Sequence, residues 1–267
     1  IEVGKRFKIY EDMPRQYSAV LGSVETTLLE LANAYAILIN GGKRVSPTLI
    51  ERIDDRYGKT IYRRDNRKCE KCAFEDASDI PDGALTPPEL TDERETVVDA
   101  ATAYQLTYIL QGVVERGTAV RAKSLGIPMG GKTGTTNESR DTWFIGFTPD
   151  MVVGLYVGFD QPSTLGKKET GSSVALPGFI NFMQSAMKDK PSRPFTVPKG
   201  IKMYKIDSYS GQPAYSGAGG VILEAFKSYE RPGMNYYAVT APDEALPWQQ
   251  QPTAAGYNPA TDVYSPN

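Results

Sequence analysis

The sequence predicts an α/β protein of the α+β type, with an antiparallel sheet flanked by helices. Three observations carry that expectation. Residues 130–136, 141–148 and 151–159 are consecutive strand-like runs, and the tight Thr148-Pro149-Asp150 link makes the last two antiparallel neighbours. The third run, Val152-Val153-Gly154-Leu155-Tyr156-Val157-Gly158-Phe159, is mostly apolar on both faces, as a strand covered from both sides is. Segments of helical period lie before and after these runs.

In chain order, the first firm element is a helix over 27–40. Thr27-Leu28-Leu29-Glu30 is a capping-box pattern and Gly41-Gly42 is a stop signal. Leu28, Leu31, Ala32, Tyr35, Leu38 and Ile39 recur at helical spacing as one apolar stripe. Residues 47–62 read as a hairpin, with strands over 48–53 and 59–62 and a turn over 54–58. From 63 to about 95 the chain becomes charged and proline-bearing, which predicts a surface insertion. Asp99 is a good N-cap for a second helix that runs to Arg116 before Gly117, with Ala103, Leu106, Ile109, Leu110 and Val113 in period. After the sheet, Pro177 sits in the first turn of a helix through Lys188. Ile180, Met183 and Met187 form its stripe, with Phe179, Phe182 and Ala186 beside it. Beyond 190 the chain is rich in Pro, Gly, Tyr and Ser. A strand is expected over 202–206, and 241–267 reads as a poorly ordered tail. The expected organisation is a domain unit over 1–190 followed by an extension and tail over 191–267.

Composition removes several functional classes. The 267 residues are 40% hydrophobic and 23% charged, enough for a substantial core. The net charge of −2 argues against nucleic acid as a partner. There is no histidine, so no Ser-His-Asp triad, Cys-His pair or imidazole metal site can be assembled, and no metal or other cofactor is expected. Nucleophilic chemistry would need lysine, a carboxylate or another hydroxyl as its base. No apolar run approaches the ~20 residues that span a bilayer. The chain begins Ile1-Glu2-Val3-Gly4 without an initiator methionine or signal peptide and reads as a piece of something longer. Cys69 and Cys72 form a single C-x-x-C. It lacks the further ligands of a zinc site and the strand-to-helix context of a redox motif. A small loop-closing disulfide in an oxidising compartment is favoured over two idle thiols.

The chemically densest stretch is Gly130-Gly131-Lys132-Thr133-Gly134-Thr135-Thr136-Asn137. On a strand, Lys132, Gly134 and Thr136 share one face while Thr133 and Thr135 share the other. Glycines allow close backbone approach, Lys132 supplies a compact cation, and the threonines supply hydroxyls. The set suits a small anion, most simply a carboxylate. A phosphate-binding P-loop is excluded by context, because a turn and strand follow Lys132 where a P-loop needs a helix. An ordinary glycine-rich edge strand with one exposed lysine is the plain alternative.

Lys132-Thr133-Gly134-Thr135-Thr136-Asn137, followed by Ser139-Arg140-Asp141-Thr142-Trp143-Phe144-Ile145-Gly146-Phe147-Thr148-Pro149-Asp150, resembles the third active-site motif and adjoining strands of class A penicillin-binding proteins. Three further blocks agree in order: Glu25 to Ala36 with Asn40-Gly41-Gly42, Leu110 to Ala119, and Gly171 with Ala175-Leu176-Pro177. The resemblance runs from about 11 to 188 and, more weakly, over 201–211. It implies the penicillin-binding protein and serine β-lactamase-like fold, here as the C-terminal portion of a transpeptidase domain. It implies a serine of an S-x-x-K motif that attacks the carbonyl of a D-Ala-D-Ala peptide stem, with that motif's lysine as base and an S-x-N motif relaying protons. By resemblance, Lys132 and Thr135 take part in catalysis, and residues 132–137 bind substrate. Lys132 gives the positive field, Thr133 and Thr135 give hydroxyls, and the Thr135 N–H belongs to the oxyanion hole. The implied partners are peptidoglycan stems, β-lactams and an upstream part of the same protein. The implied location is the periplasm, tethered to the inner membrane by an N-terminal anchor outside this chain.

The departure from the family pattern is upstream. Neither S-x-x-K nor S-x-N precedes Lys132. Ser185-Ala186-Met187-Lys188 is the one S-x-x-K match, of the kind that about one chance occurrence explains, and Ser265-Pro266-Asn267 lies in the expected tail. The alternatives are a serine β-lactamase or D,D-carboxypeptidase relative, and a non-catalytic binding module that keeps the fold. The proline- and tyrosine-rich extension and the block from Gln111 to Gly117 speak against the former.

Overall fold

The structure, a computed structural model, describes residues 1–65, 92–214 and 219–233. Its centre is a three-stranded antiparallel sheet in the order β3 (Gly130–Thr135), β4 (Asp141–Phe147), β5 (Val152–Gly158). The register pairs Lys132 with Ile145 and Ile145 with Gly154, so alternate residues of β4 serve opposite faces. Trp143, Ile145 and Phe147 share one face, and Thr142, Phe144 and Gly146 share the other.

Helix α2 (Leu28–Ile39) lies on the first face. Its Tyr35 ring sits 6.0 Å from that of Phe147, and burial pushes the Tyr35 phenol up to about 12. Helix α4 (Leu176–Ala186) lies on the second face, where the Phe179 ring meets Phe144 edge-on at 4.8 Å. Phe144, Leu176, Phe179 and Met183 form the main core with Val114, Ala119, Ala122, Met129 and Ala175. Helix α3 (Ala100–Glu115) packs along β3. A smaller core joins Ala34 and Ile37 of α2 to Phe7, just past the short helix α1 (Glu2–Arg6), and to Val97.

The expected helix starts are present. Thr27 and Glu30 form the capping box, with the Glu30 N–H donating to Thr27 Oγ1 at 3.1 Å. Asp99 caps α3 by accepting from the Thr102 N–H and hydroxyl, contacts that hold its carboxyl below its ordinary value. The apolar stripes need correction. In α2 the buried residues are Ala34 and Ile37, because the helix is covered on a second side by Phe7 and Val97. In α3, Leu106 and Ile109 are exposed while Ala103, Tyr104, Thr107, Gly112 and Val114 are buried. Small residues let that helix approach its neighbours closely, and they carry little weight in an apolar period.

The hairpin near residue 50 forms as β1 (Arg52–Asp54) and β2 (Thr60–Arg63), shorter than expected and solvent-facing. The expected strand over 202–206 is β6 (Ile201–Asp207), and it pairs with an unexpected strand, β7 (Val221–Lys227). This second hairpin packs on α3, with Gln105 Nε2 donating to Ala225 O at 3.1 Å. Burial pushes the Glu224 carboxyl up, and the neighbouring Arg116 opposes that shift. Arg44 pairs at 2.9 Å with Glu95, which stands just before α3. Most of the expected insertion, with Cys69 and Cys72, lies outside the described residues, as does the expected tail with Ser265 and Asn267. Among the described residues no helix is long and apolar enough to cross a membrane.

Phe179 is fully buried, at 0% exposure, between α4 and β4. Phe179→Ala should cost about 3–5 kcal/mol of unfolding free energy, read from the urea midpoint at unchanged slope.

Candidate functional site

Strand β3 starts inside the protein and ends in solvent: Gly130 and Gly131 are buried, whereas Lys132, Thr135 and Thr136 are exposed. The first two glycines serve packing. A Cβ on Gly131 would lie 2.7 Å from the Phe144 ring and 2.8 Å from the Ile145 carbonyl, and one on Gly130 would lie 2.6 Å from the Phe147 ring. Their small size therefore admits aromatic rings of β4, not the ligand approach that the sequence suggested for them.

The candidate residues divide by face, as strand alternation requires. Lys132 Nζ donates to the Thr133 carbonyl at 2.8 Å and stays solvent-accessible. Thr133 Oγ1 lies 3.0 Å from Thr118 Oγ1, which comes from the turn after α3. Thr135 Oγ1 accepts from the Gly171 N–H at 3.0 Å. Thr136 closes the β3–β4 turn: its N–H donates to Asp141 O at 3.0 Å, and its hydroxyl accepts from the Asp141 N–H at 2.8 Å. Asn137 is exposed in that turn. The next two residues, Glu138 (φ 60°) and Ser139 (φ 49°), are left-handed, a conformation that stores strain in non-glycine residues.

Gly171 begins a π-helical turn, Gly171–Ala175, capped by Thr170. A Cβ at Gly171 would come within 2.5 Å of Trp143 O and 2.7 Å of Gly134 O, so only glycine lets this turn close on β3 and β4. On the outer side, Tyr156 donates to Asp141 Oδ1 at 2.7 Å. That hydrogen bond, helped by burial, pushes the Tyr156 phenol above its ordinary value.

The structure thus brings Lys132, Thr133, Gly134 and Thr135 into one strand segment and uses Thr136 as a turn closure. Thr118 and Gly171 join the segment without having been assigned a role from the sequence. Both stand in blocks that carried the family resemblance, and that was the only signal for them. Ser185 is exposed near the end of α4, where its carbonyl accepts from the Lys188 N–H at 3.5 Å. A groove of about 410 Å³ lies between α2 and the start of β5, lined by Leu29, Asn33, Ala36, Val45 and Met151, and includes no residue of β3.

An antiparallel sheet covered by helices on both faces, with a lysine- and threonine-bearing strand braced by a glycine turn, defines a class that comparison identifies. Residues 11–184 match the penicillin binding protein transpeptidase domain, and the chain belongs to that family. It is 52% identical over 227 residues to penicillin-binding protein 1A of Rickettsia bellii, covering 85% of this chain and 28% of that relative. It is 37% identical to penicillin-binding protein 1A of Pseudomonas aeruginosa, covering 83% of this chain and 30% of the relative. The crystal structure of penicillin-binding protein 1A from Haemophilus influenzae superposes with a TM-score of 0.69 at 30% identity, covering 86% of this chain and 36% of that one. The chain thus spans less than a third of the length of these two curated relatives.

The fit at Gly171 allows a direct check. Gly171→Ala forces a methyl against two carbonyls, and overpacking of this kind should cost about 1–3 kcal/mol. The thermal midpoint should fall, and amide exchange should quicken first at Gly134 and Thr135.

Proposed function

We propose that this chain is the carboxylate-binding part of a serine D,D-transpeptidase that cross-links peptidoglycan stems. In this reading an upstream part of the same protein supplies the nucleophile. The observation that carries the proposal is the exposed Lys132 cation on a strand whose neighbouring hydroxyls, Thr133 and Thr135, are each already oriented by a partner. Orientation before binding is what makes fixed dipoles effective, since little reorganisation is left for the moment of reaction.

In the reaction, the serine oxygen forms a bond to the carbonyl carbon of the penultimate D-Ala. The amide bond to the terminal D-Ala then breaks, and its nitrogen leaves with a proton. Lys132 holds the terminal carboxylate by charge, while the Thr133 and Thr135 hydroxyls fix its orientation. The Thr135 N–H stabilises the developing oxyanion. A second amine then takes the acyl group from the serine. β-Lactams enter by the same route, because they carry a carboxylate beside a strained amide. Gly134 keeps the strand face low, and Asn137 stands at the rim. The protein working on this substrate would reside in the periplasm, tethered to the inner membrane.

Charge-assisted hydrogen bonds contribute about 1.5–3 kcal/mol, so Lys132→Ala in the full-length protein should lower the second-order acylation rate by roughly one to two decades. Lys132→Arg keeps the charge but alters reach and planarity and should recover only part of that loss. Thr135→Val should cost less than Lys132→Ala, because its backbone N–H remains. Stopped-flow acylation by a fluorescent penicillin measures all three. A Lys132→Ala rate within about twofold of wild type would remove the assignment, since no charge-assisted contact would then have been lost.

The isolated chain should form no penicillin adduct. Ser185 follows the candidate strand in sequence and sits on an exposed helix end. Intact-mass analysis after incubation with penicillin checks this, and an adduct mapped to Ser185 would reverse it.

A further inference from the structure

The β6–β7 hairpin lies beyond the residues that define the family match, yet it grips the helix that carries Thr118 to the candidate strand. Strand β7 holds α3 at both ends. At the start, Lys227 Nζ stands 3.6 Å from Asp99, the residue that caps the helix. At the far end, Arg116 Nη2 stands 3.3 Å from Glu224 Oε2. The Glu224 side chain is only 17% exposed, so solvent screens this pair less than an ordinary surface one. The Arg116 guanidinium also folds back over Gly112, where a Cβ would come within 2.9 Å of it.

The connection from Arg116 to the site is short. Ala119 is fully buried and its N–H donates to Val113 O at 3.0 Å, so Gly117 and Thr118 are fixed from both sides. Thr118 Oγ1 then meets Thr133 Oγ1 at 3.0 Å. In a pair of hydroxyls one donates to the other, and the acceptor's own proton remains for a further acceptor. If Thr118 donates, the proton of Thr133 is directed to an anion.

We infer that the β6–β7 hairpin is a positioning device for β3, with the Arg116–Glu224 pair setting Thr118 so that the Thr133 proton faces an incoming carboxylate. This rests on the reading of β3 as a carboxylate-binding strand. Thr118, Arg116 and Glu224 are positioning residues, because they act through Thr133. A hairpin that only stabilised α3 would affect every ligand alike, whereas this arrangement acts on ligands that carry a carboxylate.

The test compares acylation of the full-length protein by penicillin G and by its methyl ester, which lacks the free carboxylate. Thr118→Val should slow acylation by penicillin G about tenfold and leave the ester rate within about twofold, as loss of one oriented hydrogen bond predicts. Thr118→Ser should restore the acid rate. Glu224→Gln should slow the acid by roughly three- to tenfold with the same selectivity, and combining it with Thr118→Val should add almost nothing, since coupled residues are not additive. Equal losses for acid and ester, independent losses that multiply, or unchanged rates would each overturn the inference. Lys132→Ala in the same series separates the two levels. If it leaves acid-over-ester selectivity intact, the reading of β3 itself fails. If it abolishes selectivity while the Thr118 and Glu224 variants behave as wild type, only the role of the hairpin fails.

Discussion

Two phenylalanines of β4 occupy the space that side chains on β3 would need, and this interlock sets the position of the candidate site. Phe144 and Phe147 reach the hollows at Gly131 and Gly130, and the edge of Phe179 enters the one at Gly146. Close-packed interiors do not deform continuously, so filling those hollows pins the buried half of β3 to the core. The outer half, from Lys132 to Thr135, inherits that fixed origin within four residues. A functional strand can then present polar groups to solvent without being mobile itself. The same glycines explain why this strand tolerates a charged residue directly beside the core: the adjoining burial is done by rings from the neighbouring strand.

A second restraint acts at the other end of the segment. Gly171 lets a turn close against Gly134 and Trp143, and its N–H engages the Thr135 hydroxyl. Thr136 meanwhile closes the hairpin through Asp141, next to the left-handed pair Glu138 and Ser139. Strained backbone persists only where surrounding contacts determine it, and here those contacts flank the candidate residues on both sides.

The parts legible from sequence are those set by local rules. The Thr27–Glu30 box and the Asp99 cap involve residues three apart, and both helices begin where those signals stand. The antiparallel order of β4 and β5 followed from a link too short for any crossover. Periodicity failed where burial depends on who the neighbours are. Leu106 and Ile109 look like core residues in α3, but the helix faces its partners with Ala103, Thr107 and Gly112, whose small size is a tertiary requirement. The site shows the same limit. Lys132 and Thr135 were visible in one motif, whereas Thr118 and Gly171 reach it across 15 and 36 residues of chain. The glycines of the motif were visible too, but their purpose became clear only once the rings beneath them were placed.

That separation between motif and support has a chemical consequence. Among the described residues Lys132 Nζ bonds within its own strand, to the Thr133 carbonyl, so no side chain of another element aims it. The two hydroxyls behave differently, since each is met by a group from another element: Thr133 by the turn after α3, and Thr135 by the turn before α4. Charge attraction is long-ranged and tolerant of angle, whereas a hydroxyl must be aimed to within a few tenths of an ångström to donate well. On the proposed reading, a carboxylate is drawn in by a group held within the strand and oriented by groups that the surrounding packing controls. Attraction can be carried by a short motif, and orientation has to be carried by the fold.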